Sequence, residues 1–264
     1  MNKVLLFIIA LMVSHNAFSQ SVKNSKKTTD TVFIFKHTNS HTDKISKKVY
    51  TEYDAVYIEN NRSSKYYDWI DGFGLPSPHK AAYRDTSEYK GEIRYLVDTY
   101  KVKFHKHNLY GLPTNWCGLI RYKGSYYTYA PCDWMFNFLF QINDSTIIRR
   151  TFENDVQPIV SFKKISSRKY QLKTYRTDNE IGELPPLYNF TTNIYILDTV
   201  LKIAVFEVIE EGIPVSNKNR TSYSLMVSAD KIKEFPIIVN YCPNDKVGEF
   251  EGDTIYYKAL IKGL

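Results

Sequence analysis

The chain has 264 residues, a formal net charge of +7 and 43% hydrophobic residues. That length suits one large β domain or a small domain beside a larger one, and the apolar content is enough for a packed core. Its 11 glycines exclude a collagen-like or Gly-rich chain. The 35 Lys and Arg are scattered among 28 acids, densest at Lys26-Lys27, Lys47-Lys48 and Lys163-Lys164. They form no one-sided basic cluster and no nucleic-acid motif, so no nucleic-acid partner is expected. Loose affinity for anionic envelope polymers remains.

Residues 1–20, MNKVLLFIIALMVSHNAFSQ, place Lys3 before an unbroken apolar run from Val4 to Val13 and end on Ala17-Phe18-Ser19. This is the three-part pattern of a secretory signal peptide with small residues at the cleavage site. The run is about half the length a membrane-spanning helix needs, so no transmembrane anchor is expected. Cleavage after Ser19 leaves 245 residues beginning at Gln20, with 34 basic against 28 acidic side chains, a net +6. No cysteine lies near the cut to carry a lipid. The expected location is the periplasm or the exterior, with a soluble mature chain.

Residues 20–30 are polar, lack an apolar period and read as a flexible leader. A single β-rich domain over residues 31–264 follows, with a sub-boundary near 108–112. Tyr at 22 and Phe at 15 already favour strands. Strand-like runs begin at Thr31 and Lys47; in the second, Val49, Thr51, Tyr53, Ala55 and Tyr57 alternate onto one face.

Residues 60–92 break this rhythm with prolines, glycines and many aromatics, as functional or irregular loops do. Arg94–His107 reads as a strand pair. NWCGLIRY and SYYTYAPC then form a hairpin closing at Lys123-Gly124, which sets Tyr122 against Ser125 and Ile120 against Tyr127. In that register Trp116 and Tyr129 share one face, and Cys117, Leu119 and Cys132 share the other. MFNFLFQI aligns Phe136, Phe138, Phe140 and Ile142, turns at Asn143-Asp144 and returns through STIIRRTF. VSFKKI and KYQLKTY continue the meander.

After the loop TDNEIGELPPLYN, NIYIL and VLKIAVFEVI read as a hairpin around Asp198-Thr199, pairing Ile196 with Leu201 and Ile194 with Ile203. The second run is apolar on both faces, which suits a central strand. SYSLMVS follows, and Ser228 is placed to N-cap one short helix, ADKIKEF, ahead of Pro236. IIVNYC and TIYYKALI read as closing strands.

About nine strand runs between Trp116 and Ser228, joined by short turns, predict an all-β antiparallel barrel or sandwich. Over roughly residues 111–240 this meander, with its short following helix, resembles the lipocalin-like (calycin-type) barrels. Gly111-Leu112-Pro113-Thr114-Asn115-Trp116 stands where such barrels carry Gly-x-Trp, at a longer spacing, so the likeness is one of strand count and order. The resemblance implies an apolar ligand held in the barrel mouth.

Chemistry-bearing patterns are few. His105 and His107 lie two residues apart, which on a strand points both imidazoles one way toward a metal. Asp68 and Asp71 with Gly72 suit a calcium loop or, as paired acids, a hydrolase. Cys117, Cys132 and Cys242 cannot all pair within one chain. The hairpin makes Cys117 and Cys132 diagonal neighbours, hence candidates for a disulfide or for two buried thiols, with Cys242 an alternative partner. No GxSxG, HExxH, P-loop or GxGxxG occurs, and no cofactor is implied. Tyr66, Tyr67, Trp69, Phe73, Trp116 and Trp134 offer aromatic faces suited to a sugar ring, a lipid or a partner protein, and equally to core packing.

The expectation is thus an exported, non-catalytic binding protein for a small apolar or glycan ligand. A structural or assembly component of the envelope, meeting an envelope protein, is the alternative. A hydrolase of envelope polymers is the third reading.

Overall fold

A computed structural model describes residues 31–71, 87–133, 139–150, 154–177, 187–211, 220–243 and 247–264. The expected signal peptide and leader lie outside the described residues. Among those residues no helix is long and apolar enough to cross a membrane.

Twelve strands form one connected sheet. They are β1 (Val32–Thr42), β2 (Val49–Glu59), β3 (Asn115–Tyr122), β4 (Ser125–Ala130), β5 (Leu139–Ile142) and β6 (Thr146–Arg150). Then come β7 (Asn154–Lys164), β8 (Lys169–Thr177), β9 (Leu187–Asp198), β10 (Ile203–Glu211), β11 (Arg220–Ser228) and β12 (Ile237–Tyr241). The helices are α1 (Lys65–Asp71), α2 (Ser87–Tyr100) and α3 (Tyr257–Leu260), with a 3₁₀ helix at Ala229–Glu234.

The meander β5 to β11 pairs neighbour with neighbour, antiparallel throughout. β3 pairs with β11 on one side and β5 on the other, closing a ring of eight strands. β3 then runs on past the ring, where Leu119–Tyr122 pairs with β4, and β4, β12, β2 and β1 continue as a second sheet. The mostly antiparallel β class is therefore as expected, and nine strands do fall between Asn115 and Ser228.

Alternation sorts the side chains of the ring strands into two sets. Trp116, Phe140, Ile142, Ile147, Ile159, Leu172, Ile194, Ala204, Phe206 and Met226 form one buried cluster, and every ring strand contributes to it. Cys117, Leu119, Val205, Leu225 and Val227 take the opposite parity. They join Tyr67, Ile70, Ile232, Phe235, Ile237 and Val239 in a second cluster on the other face. β10 is buried on both faces at Ile203–Phe206, as its doubly apolar run predicts.

The β3–β4 hairpin has the expected register, Tyr122 against Ser125 and Ile120 against Tyr127. Lys123 (φ 48°) and Gly124 (φ 77°) both sit in the left-handed region, the type I′ geometry that matches strand twist. The β9–β10 hairpin differs from expectation. Ile196 opposes Ala204 and Ile194 opposes Phe206, with an irregularity at Ile203. The cause is local: Asp198 Oδ1 accepts from the Val200 and Leu201 N–H groups at 2.7 and 2.8 Å, and Lys202 adopts φ 52°. This longer turn moves the pairing by three residues, which flips parity and sends Ala204 and Phe206 into the ring interior instead of Ile203.

Three other expectations change. Arg94–His107 is not a strand pair: Ser87–Tyr100 is helical, and 101–109 is irregular. Ile93, Leu96 and Tyr100 are spaced for one helical face, and Ile93 packs against Ile148 and Val156. TIYYKALI holds α3 rather than a strand. The ADKIKE helix forms, but as 3₁₀, and Ser228 makes no side-chain cap to it; its Oγ bonds the Asp230 carboxylate instead.

Candidate functional site

β11 is longer than its contact with β3. It pairs with β10 from Arg220 to Val227, but with β3 only where Met226–Ser228 meets Trp116–Gly118. Past Gly118, β3 belongs to the second sheet, so Arg220–Leu225 has a strand partner on one side only. The two strands part like a seam.

A crevice of about 440 Å³ occupies this seam. That volume lies within the range of small-molecule sites, roughly 300–1,000 Å³. Leu119, Ile120 and Leu225 supply aliphatic wall, and Tyr129, Tyr223, Phe250 and Tyr257 supply aromatic wall. Polar groups come from Ser224, Glu249 and Glu251, and no Lys, Arg or His lines it.

Residues 249–257 form its outer side as a strap. Asp253 N–H donates to the Arg121 carbonyl (2.6 Å), and Asp253 Oδ2 accepts from Gly124 N–H (3.0 Å). Only glycine fits at 252: a Cβ there would stand 2.4 Å from Ile120 Cγ2 and 2.5 Å from the Arg121 oxygen. At the far end Tyr257 stacks on Tyr223, centroids 5.4 Å apart and 11° from parallel, and its hydroxyl is hydrogen-bonded to the Leu225 backbone.

Two polar networks back the crevice. In the first, the Tyr129 hydroxyl donates to Glu249 Oε2 and accepts from Phe250 N–H (2.9 Å). Glu249 Oε1 accepts from Asp133 N–H (2.8 Å), and Asn240 Nδ2 reaches Gly248 O (2.9 Å) and Glu249 Oε2 (3.3 Å). Burial, then the bond to the carboxylate, raises the Tyr129 phenol well above its ordinary value. Asn240 is 4% exposed, and its Oδ1 has no donor.

The second network centres on Glu207. It accepts from Tyr223 Oη (2.8 Å), Tyr195 Oη (3.0 Å) and Asn193 Nδ2 (2.9 Å). Burial works to raise this carboxyl, but these three donors outweigh it and hold Glu207 below its usual range.

Among the described residues, Arg149, Gln157, Thr192, Glu210 and Ser222 surround a cavity of about 30 Å³ at the polar end of the ring interior. Gln157 Oε1 there accepts from Thr174 Oγ1 at 2.7 Å. Such a volume holds water, not a ligand. The interior cluster packs below it.

The sequence-predicted residues do not converge on one place. Trp116 is 0% exposed inside the ring, edge-on to Phe206, and donates from Nε1 to the Pro113 carbonyl (2.7 Å); it is core, not a ligand surface. Tyr67 is buried and donates to the Phe235 carbonyl, while Tyr66 accepts from the Tyr57 hydroxyl (3.2 Å). Both sit on α1, which packs on β4, β12 and the 3₁₀ helix. Phe73 and Trp134 lie outside the described residues, as do the side chains of Trp69 and Asp71. Asp68 is exposed on α1, a helix rather than the expected loop, and does not line the crevice.

His105 and His107 stand on irregular chain, not on a strand. His105 is exposed, and His107 Nε2 is engaged by the Ile159 carbonyl at 3.0 Å. Among the described residues no three His, Cys, Asp or Glu side chains gather as metal ligands. The disulfide joins Cys132 to Cys242, Cα–Cα 5.7 Å, and not Cys117 to Cys132. Cys117 is buried and stands outside the disulfide. β12 runs beside β4 and brings Cys242 to Cys132.

Sequence reasoning missed the strap. Its signal was Glu249-Phe250-Glu251-Gly252-Asp253, alternating acids around an aromatic and a glycine. Searches against protein-family models, curated proteins and solved structures find no match to this chain.

Proposed function

We propose that the protein is an exported, non-catalytic binding protein of the cell envelope or extracellular space. Its ligand site is the crevice between β3 and β11, closed on its outer side by the strap. The carrying observation is the 440 Å³ aromatic-walled crevice where β3 and β11 separate. In this reading the barrel is lipocalin-like in its eight-strand up-and-down order, with the ligand at the wall. The 1–19 signal pattern and the Cys132–Cys242 disulfide both support an oxidising, extracytoplasmic setting.

The test is native mass spectrometry of the protein recovered from its own host, beside Ser224→Phe, which adds bulk at a residue lining both the crevice and the small ring cavity. A small molecule retained by the natural protein and lost from a folded Ser224→Phe supports the reading. Equal retention by both, or none by either, sinks it.

An assembly role has one observation in its favour. β1 is an edge strand whose Val32, Phe33 and Phe35 are about half exposed, beside Tyr53 and Tyr241. Edges of this kind invite pairing with another chain. A partner lost on Phe33→Lys and retained on Ser224→Phe would favour this second reading.

A further inference from the structure

We infer that the crevice selects ligands carrying a protonated amine on an apolar or aromatic body. This rests on the crevice being the binding site.

The argument is one of charge against background. The chain is basic, net +7, yet among the described residues the only ionisable side chains lining the crevice besides tyrosines are Glu249 and Glu251. Glu207 stands directly behind, bonded to the Tyr223 that forms part of the wall. The cations near this region sit away from the lining. Lys169 lies over the Tyr195 ring at 4.8 Å, and neither Arg121 nor Lys258 lines the crevice.

Glu249 accepts hydrogen bonds from the Asp133 amide, the Tyr129 hydroxyl and the Asn240 amide. Among the described residues no Lys or Arg forms a salt bridge with it. Beside it, Asn240 Oδ1 is a buried acceptor with no donor, because Nδ2 is spent on Tyr129, Gly248 and Glu249. Two carboxylates on a described wall that holds no lysine, arginine or histidine leave this end of the site short of positive charge. An ammonium supplies it. The faces of Tyr129, Tyr223, Phe250 and Tyr257 suit such a ligand too, since aromatic rings attract cations over their faces. A carboxylate or phosphate ligand is repelled by the two glutamates.

The experiment uses three probes of one shape and different charge: tryptamine, tryptophol and indole-3-propionate. Each is titrated calorimetrically against the full protein, Glu251→Gln, Glu249→Gln and Ser224→Phe, with thermal unfolding as the folding control. The expected result is tryptamine binding at least tenfold tighter than tryptophol, and indole-3-propionate weakest. Glu251→Gln, an exposed position that leaves the Tyr129 network whole, should bring tryptamine toward tryptophol without weakening tryptophol; Glu249→Gln should do so further. Indole-3-propionate binding as tightly as tryptamine, or a preference untouched by both variants, overturns the charge inference while the crevice stands. Binding of all three that survives a folded Ser224→Phe, or no binding of any, overturns the crevice itself.

Discussion

The Tyr129 hydroxyl donates to the carboxylate of Glu249, 120 residues further along the chain. This bond ties β4 to the start of the strap and sets one end of the crevice. Replacing Tyr129 with Phe strips a donor from a partly buried carboxylate and an acceptor from Phe250 N–H. The expected cost is about 1–3 kcal/mol, the range for stranding buried polar partners, read by urea unfolding. A variant as stable as the natural protein would show the network to be ornamental. Hydrogen exchange should also quicken at Phe250.

Gly252→Ala should detach the strap. A methyl there collides with the Arg121 carbonyl as well as with Ile120, and backbone cannot swing aside as a side-chain tip can. Overpacking of this kind costs about 1–3 kcal/mol. Exchange of the amides from 249 to 257 should rise while β8 and β9 stay protected. Unchanged protection across the strap would show that its closeness to β3 is not required.

Reduction should weaken the fold strongly. The Cys132–Cys242 bridge closes a loop spanning 110 residues, and chain entropy for loops of that size amounts to about 5 kcal/mol. Cys132→Ser and Cys242→Ser should each lower the melting temperature, and a reductant should lower that of the natural protein only. Cys117→Ser should keep the bridge, which mass mapping of the oxidised protein checks. A bridge found through Cys117 would contradict the pairing.

Glu207 predicts how the protein responds to alkali. Burial, then the bonds to this carboxylate, push the Tyr195 and Tyr223 phenols up to about 12. A raised folded value means stability is complete below the unfolded tyrosine value, about 10, and falls as pH climbs through about 12. Phenolate absorbance should show tyrosines titrating late. In Glu207→Gln they should titrate earlier, since the neighbouring charge is gone while burial remains. The acid side has the opposite sign: Glu207 lies below its usual range, so its contribution holds above about pH 4.5 and is lost as pH falls beneath. Identical titration of the two proteins would remove Glu207 as a cause.

Much of the fold was legible in the residues because hairpins are local. Lys123-Gly124 specifies its own turn, and the alternation of the flanking runs then fixes which side chains meet. The meander from β5 to β11 follows for the same reason. Legibility failed where short-range chemistry was subtle. Asp198 lengthened a turn by binding two amides, and a three-residue shift exchanged the faces of β10. It failed again at α2, where aromatic content suggested strand while Ile93, Leu96 and Tyr100 kept a helical period.

By itself, the sequence determined an antiparallel β chain with an export-like start, an aromatic surplus and a basic balance. The tertiary structure alone decided where these meet. Closure of the ring by β3 drew Trp116 into the interior, edge-on to Phe206. Departure of β3 from β11 opened the seam, and the strap brought Glu249 and Glu251 to it from more than a hundred residues beyond Gly118. Pairings at such separation depend on which edges remain free once the local hairpins have formed. No window of sequence carries that information, because each strand offers the same backbone donors and acceptors to every candidate edge.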